Sequence, residues 1–463
     1  MVCSVHSIAL NKIVKYFDGQ WQGMTTASDG ACYFGSSTHS PLHGSSFFKF
    51  DPITKKLTTL AEDMTKICGE DLTKTPPQGK IHSPIVECDG WLYLTTHLSN
   101  YWDEAINKYP GAHVIGYEIP TGRFRDFGIV RDRFTIYSAL NVDKINKKIH
   151  VFVVPFTEDD LENDSSHLYQ IDIKTGEKVD LGLVPDKKRG ACEWFFINNK
   201  GDCWFTLYKH DWPQPLDDGD LYHFDSDKKV LNVNKNVLPI GKLAPNGVPA
   251  SERLKTERSW TWVEALPGNK KCLFTMGMLG GGDERLWIFD PSKNIESGEA
   301  FQPIAYIGAT FLSVAYSNGR VYFIQYKDLD DARTYWTETI RDFDQKDIHF
   351  NDELHLRSIG IDSSDNGIID HGKIIDQDNR RISMIETLAA DDKGNVFMVG
   401  SWYALSPDEA THQYVWPGLT EWYIEKDYPE VSYTYKDTKR FTHKVMHRGQ
   451  FFSYVNVSKD IKG

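Results

Sequence analysis

At 463 residues and a formal net charge of −13, the chain is long enough for one large all-β domain or two to three average ones. It is too acidic for wholesale binding to nucleic acid or an anionic membrane surface. Hydrophobic residues make up 40% and charged residues 25%, as in ordinary soluble proteins, and no apolar run reaches membrane-spanning length. The aromatic share of 13% suits β-strands and flat surfaces that stack on sugar rings.

The N-terminal MVCSVHSIALNKIVKYF lacks a basic segment followed by an apolar core, so it does not read as a signal peptide. Location stays open: secreted if a leader has been removed, otherwise cytoplasmic. The seven cysteines show no CxxC pair, and Cys32, Cys88, Cys203 and Cys272 fall in apolar runs. They read as buried thiols.

From there one unit recurs: an apolar run, a turn of Asp-Gly or Asn-Gly type, and a short aromatic-rich run. It appears as TTASDGACYFGSS, IVECDGWLYLTT, LNVDKINKKIHVFVV, FFINNKGDCWFTLY, VEALPGNKKCLFTMG, VAYSNGRVYFIQY and LAADDKGNVFMVGSW. Each predicts a β-hairpin. A second unit follows most of them, a strand ending in an acidic residue and a turn, as in FFKFDPITKK, VIGYEIPTGR and HLYQIDIKTG. A further short strand such as FRDFGIV completes four strands per repeat. Seven such repeats predict an all-β, seven-bladed β-propeller of four-stranded blades, with 1–463 as a single domain. A pair of β-sandwiches would leave the repetition unexplained. Residues 1–18 are expected to supply a closing strand, and 431–463 an extension packed on the ring. The repeat exceeds the ~40–50 residues of simple blades, so the surplus lies in loops, where binding sites form.

With strands numbered outward from the axis, the connections entering strand one and leaving strand two emerge on one face. His82, His97 and His113 fall at such positions in the second repeat. Arg189 and Arg258 precede the first strands of the fourth and fifth repeats. Tyr208 ends a second strand, Arg333 lies in a loop, and Trp402 follows the last hairpin. A face of His, Arg, Tyr and Trp suits an anionic sugar. Arginine pairs a carboxylate bidentately, aromatic rings stack on pyranoses, and His moves protons. The plain alternatives are loop-capping histidines, since His167 occupies the position of His113 one repeat later, and arginines in ordinary ion pairs. Zinc on the three histidines lacks a known spacing. No cofactor is required by this reading, and calcium on the loop carboxylates is an open alternative. The run GGGDERLW lacks the Lys-Ser/Thr of a phosphate loop, and there is no GxSxG elbow.

At KIHSPIVECDGWLYLTTH and YPGAHVIGYEIPTG, strengthened by QWQGMTTASDGACYFGSSTHS, RSWTWVEALP, GGGDERLWIFDPS and MIETLAADDKGNVFMVGSW, the sequence resembles carbohydrate-active seven-bladed propellers. Within these it is similar to L-rhamnose-α-1,4-D-glucuronate lyases that act on arabinogalactan of the gum arabic type. Related rhamnosidases attack the same disaccharide, and ulvan lyases share the propeller. The resemblance implies β-elimination at a uronic acid. It implies His97 and His113 as proton carriers, His82 as their support, and Arg189, Arg258 and Arg333 as candidates for the carboxylate clamp, with Tyr208 and Trp402 lining the site. The expected partner is an acidic oligo- or polysaccharide with rhamnosyl-glucuronate ends, with no nucleic acid or membrane involved. An α-L-rhamnosidase and a non-catalytic glycan-binding propeller remain as alternatives. Loss of turnover in histidine variants separates an enzyme from a binder, and an unsaturated product separates elimination from hydrolysis.

Overall fold

The computed structural model describes residues 1–99, 103–155, 165–183, 189–191, 194–209, 218–239, 258–276, 285–308, 313–325, 354–362, 367–403 and 448–458, apart from a few single positions, together with residue 409. All seven predicted hairpins are present. The turn between Val86–Cys88 and Trp91–Thr95 shows why: Asp89 and Gly90 both hold positive φ, 52° and 76°. That is the backbone of a tight hairpin turn matching the strands' twist.

The fold is all-β, and its sheets form a propeller. Five four-stranded antiparallel blades stand as separate sheets. The first runs Met24–Thr26, Cys32–Gly35, Phe47–Asp51 and Lys56–Ala61. The second adds His113–Glu118 and Arg123–Ile129 to its hairpin. The third consists of Leu140–Asp143, Lys148–Pro155, His167–Asp172 and Lys178–Leu183, with the short strand Phe134–Thr135 paired to one edge. The fourth spans Phe195–Ile197 to Val230–Asn234, and the fifth Trp260–Ala265 to Phe301–Tyr306.

The expectation of seven separate blades needs correction. The strands of the sixth and seventh repeats form one eight-stranded sheet. The N-terminal strand Val2–Ala9 is the cause. It pairs antiparallel with Arg448–Asn456 through its second half and parallel with Ile369–Asp376 through its first half. A strand alternately buried and exposed along its length satisfies backbone donors on two neighbours and so fuses the sheets.

First strands lie against one another from the second repeat to the fifth and between the sixth and seventh, Met24–Thr26 meets Ile382–Ala390, and apolar clusters join the first blade to the second and the fifth to the sixth, so the sheets close on themselves. Apolar side chains fill the spaces between neighbouring sheets. Phe34 and Phe50 pack on Phe397 and Phe452 across the closure, while Tyr33 and Phe47 pack on Leu92 and Tyr117 between the first two blades. The core is therefore a ring of inter-sheet clusters, which leaves the strand ends and connections on the two faces for other use.

Candidate functional site

Beyond the strand ends of the first two blades, four residues continue the backbone pairing as isolated bridges: Gly19 to Ser37, Ser37 to Lys80, and Lys80 to His97. The Lys80 and His97 amides each donate to the other's carbonyl, at 3.1 and 2.9 Å. The Ser37–Lys80 bridge crosses from the first blade to the second, and the crossing requires close backbone approach. A Cβ on Gly35 would stand 2.4 Å from Ile81, and one on Gly79 would stand 2.2 Å from Ser99. The rung fixes Lys80, His82 and His97 next to each other.

The third blade closes the site from the side. Thr135 hydroxyl bonds His97 Nδ1, and the Tyr137 carbonyl lies 3.2 Å from His82 Nδ1. The two imidazoles are parallel, with centroids 5.8 Å apart and planes 7° off. Tyr137 meets both rings edge-on at 5.1 and 5.5 Å. Trp21 meets His82 edge-on at 5.1 Å, with His39 on its other side. Lys80, His82 and His97 are buried, whereas Trp21, His39 and Tyr137 are half-buried. The result is a buried basic floor under a partly open aromatic rim. The Trp21 loop is held from the far end of the chain: Glu386 accepts the Gln20 amide at 2.8 Å, and also accepts from Ser401 and Gln450.

Burial, reinforced by the positive charge of Lys80, holds the proton affinity of His82 and His97 well below the ordinary histidine value. Both are neutral at pH 7. A carbonyl oxygen only accepts, so the ring proton of His82 sits on Nδ1, toward Tyr137. Its Nε2 then presents a bare lone pair, buried and without a hydrogen-bond partner among the described residues. A neutral imidazole with its proton pinned on the far nitrogen is the form a general base needs.

His113 does not join this pair. Its Nδ1 lies 2.9 and 3.0 Å from the two Asp126 oxygens, and its Nε2 lies 2.8 Å from Glu70. Burial opposes protonation, but the hydrogen bonds to Asp126, Cys68 and Glu70 outweigh it and raise its pKa to about 11. With both nitrogens committed to carboxylates, it cannot take a proton from a substrate. The same clasp recurs in other sheets. His167 bonds Asp180 at 2.7 Å, and His355 bonds Asp370 at 2.9 Å. In each case the aspartate also accepts the amide of a glycine two residues on, and a register shift follows the histidine. The histidine that opens a third strand is a structural element of the blade. The three histidines therefore cannot form one metal site.

The remaining expected residues are dispersed. Trp402, expected to line the site, is fully buried between the two halves of the eight-stranded sheet, against Phe451, so no sugar ring can stack on it. Tyr208 is also fully buried, its hydroxyl donating to the Trp260 carbonyl at 2.7 Å. Arg258 is a loop anchor: its guanidinium donates to Asn236 at 2.7 Å and to the Leu238 carbonyl. It lies so close to Gly219, at φ +67°, that a Cβ there would meet its Cζ at 2.3 Å. These three are corrections, and in each the side chain's hydrogen bond or packing partner explains its placement. Only the backbone of Arg189 is described, in a short strand paired with Tyr208–Lys209, and Arg333 lies outside the described residues. Trp21, Lys80 and Tyr137 were not singled out from the sequence. The signal for Lys80 was its place two residues before His82, and for Tyr137 the alternating FTIYS run leading into the third blade.

No protein-family model matches the chain, and no curated protein matches its sequence. Solved structures align at low identity. An oligogalacturonate lyase in complex with manganese aligns over 99% of this chain and 98% of its own, with 12% identity and a TM-score of 0.48. An oligogalacturonate lyase from Vibrio parahaemolyticus aligns over 83% and 87%, with 13% identity and a TM-score of 0.44. A chain of the mitotic checkpoint complex aligns over 82% and 84%, with 9% identity and a TM-score of 0.44. Similarity at this level carries no assignment of activity.

Proposed function

We propose that this chain is a carbohydrate lyase that releases terminal L-rhamnose from rhamnosyl-α-1,4-glucuronate ends of an arabinogalactan by β-elimination. The observation that carries the reading is the His82–His97 pair: two neutral, parallel imidazoles, one with a bare Nε2, beside a buried lysine. The sequence resemblance supplies the substrate class.

The chemistry follows from the arrangement. His82 Nε2 removes the proton at C5 of the glucuronate. The electron pair left behind moves toward the carboxylate and then forms the C4–C5 double bond as the C4–O4 bond breaks. The Tyr137 hydroxyl protonates the departing rhamnose oxygen. Lys80 faces the carboxylate, and its attraction strengthens as negative charge grows there, so it stabilises the transition state more than the bound substrate. Trp21 provides the flat apolar face at the rim. His97 holds His82 in its plane. Arg189 and Arg333 remain the candidates for a carboxylate clamp that the sequence resemblance implies.

The test is to incubate the protein with gum arabic, quantify free rhamnose, and follow ultraviolet absorbance of the conjugated C4–C5 double bond. Rhamnose with a matching rise in absorbance is expected. Rhamnose with none means hydrolysis.

A further inference from the structure

The His–Asp clasp occurs in three sheets, and its surroundings differ in a way that bears on charge. Beside Asp180 stands Arg131, Nη1 at 3.5 Å, and beside Asp370 stands Arg357, Nη2 at 3.2 Å. In the second blade no lysine or arginine bonds Asp126 or Glu70 among the described residues. The group there is instead Cys68, His113 and Asp126, whose ligand-type atoms all lie within 4.8 Å of one another. Two blades place a guanidinium at the clasp, and one places a thiol and a second carboxylate.

We propose that Cys68 Sγ, His113 Nδ1 and an Asp126 carboxylate oxygen hold one zinc ion, which joins the connection between the first two blades to the outer strands of the second. The set of thiolate, imidazole and carboxylate is the one zinc takes. The 2.9–3.0 Å between His113 Nδ1 and the Asp126 oxygens opens only slightly to reach the roughly 3.3 Å that separates two such ligands around a tetrahedral ion.

A supporting shell is already built. His113 Nε2 donates to Glu70, the carboxylate–histidine–metal arrangement that fixes a ligating ring. Glu70 is held in turn by the Gln78 amide at 3.1 and 3.2 Å, and Gln78 by the Tyr109 hydroxyl at 2.8 Å. Cys68 caps the short helix Met64–Ile67, and the following Gly69 takes a positive φ of 69° that turns Glu70 toward His113. Asp126, with 26% of its side chain exposed, opens the fourth position to water. On binding, the Cys68 thiol and the His113 imidazolium each release one proton to solvent. Thiolate and carboxylate then balance the two charges of the ion.

The experiment is a titration of chelator-treated full-length protein with cobalt(II) as a spectroscopic stand-in, followed by metal analysis after zinc loading. One equivalent and a near-ultraviolet thiolate-to-cobalt band are expected, lost in Cys68→Ser and in His113→Gln. Glu70→Gln should weaken zinc affinity about ten- to hundredfold, the range for loss of such a supporting carboxylate. A band that persists in Cys68→Ser, or the absence of any bound metal, overturns the proposal. Should the variants fail to fold, alkylation of the wild-type thiols decides. Cys68 is half-buried while Cys3, Cys32, Cys88, Cys203 and Cys272 are buried, so its rate is read separately by mass spectrometry. Zinc should slow it at least tenfold, and an unchanged rate overturns the site.

Discussion

His82 and His97 come from opposite ends of one hairpin, yet their rings lie parallel at 5.8 Å, each edge-on to the same tyrosine from the next blade. The pair is buried and neutral, and among the described residues His82 Nε2 has no hydrogen-bond partner. The two histidines therefore have different work. His82→Gln should lower kcat by about a hundred- to ten-thousandfold, the range for loss of a general base, with little change in KM. His97→Gln should cost less, since it positions the base without touching the substrate. Steady-state kinetics on both variants checks this, and equal losses would argue against the division of roles.

Burial of His82, reinforced by the Lys80 charge, should set the acid limb of the pH profile. The base works only when unprotonated, and burial together with the Lys80 charge keeps protonation of His82 well below pH 6.5. The wild type should therefore keep its kcat/KM through mildly acid pH and lose it only below. In Lys80→Met the lost repulsion raises the His82 pKa, so the acid limb moves to higher pH while the maximum rate falls. A profile that moves to lower pH would contradict this placement of charge.

A separate pH effect concerns stability. His150 is fully buried in the third blade, its Nε2 accepting from the Gln170 amide at 2.8 Å, and burial lowers its pKa to about 4. The unfolded chain binds this proton near pH 6.5, and the folded protein only near 4. Stability should thus fall as pH drops through that window, by about 3 kcal/mol at the lower end. Urea unfolding at several pH values should show a slope that is shallower in His150→Gln. An unchanged slope would place the acid sensitivity elsewhere.

Trp402 provides a contrast with the site residues. Its ring is sealed between the two halves of the eight-stranded sheet, so Trp402→Ala should destabilise by about 3–5 kcal/mol while each folded molecule keeps its turnover. Denaturant unfolding and kinetics on the same preparation separate the two effects. A specific loss of substrate affinity with stability intact would return Trp402 to the binding surface.

The hairpins were legible because their cause is local. Asp89-Gly90 and Asn318-Gly319 hold positive φ at both positions, and the alternating residues around each turn carry the register. The blade geometry also placed His82, His97 and His113 on one face. It did not give their radial position: His82 and His97 end up near the first strands, whereas His113 turns outward to the fourth strand through Asp126. That difference depends on a carboxylate thirteen residues away and a glutamate forty-three residues away. Tyr137 and Trp21 reach the site from neighbouring blades, and the buried cation beside the two histidines is a lysine, Lys80, rather than an arginine. The fused sheet was hidden for the same reason, since Val2–Ala9 finds both its partners more than 360 residues along the chain. Aromatic content suggested sugar stacking at Trp402 and served core packing instead.

The most direct test of the central claim is a parallel time course of rhamnose release and ultraviolet absorbance on gum arabic, with wild type and His82→Gln side by side. The account predicts equimolar rhamnose and unsaturated uronate from the wild type, and neither above background from His82→Gln. Rhamnose without the double bond, or full turnover in His82→Gln, would contradict it.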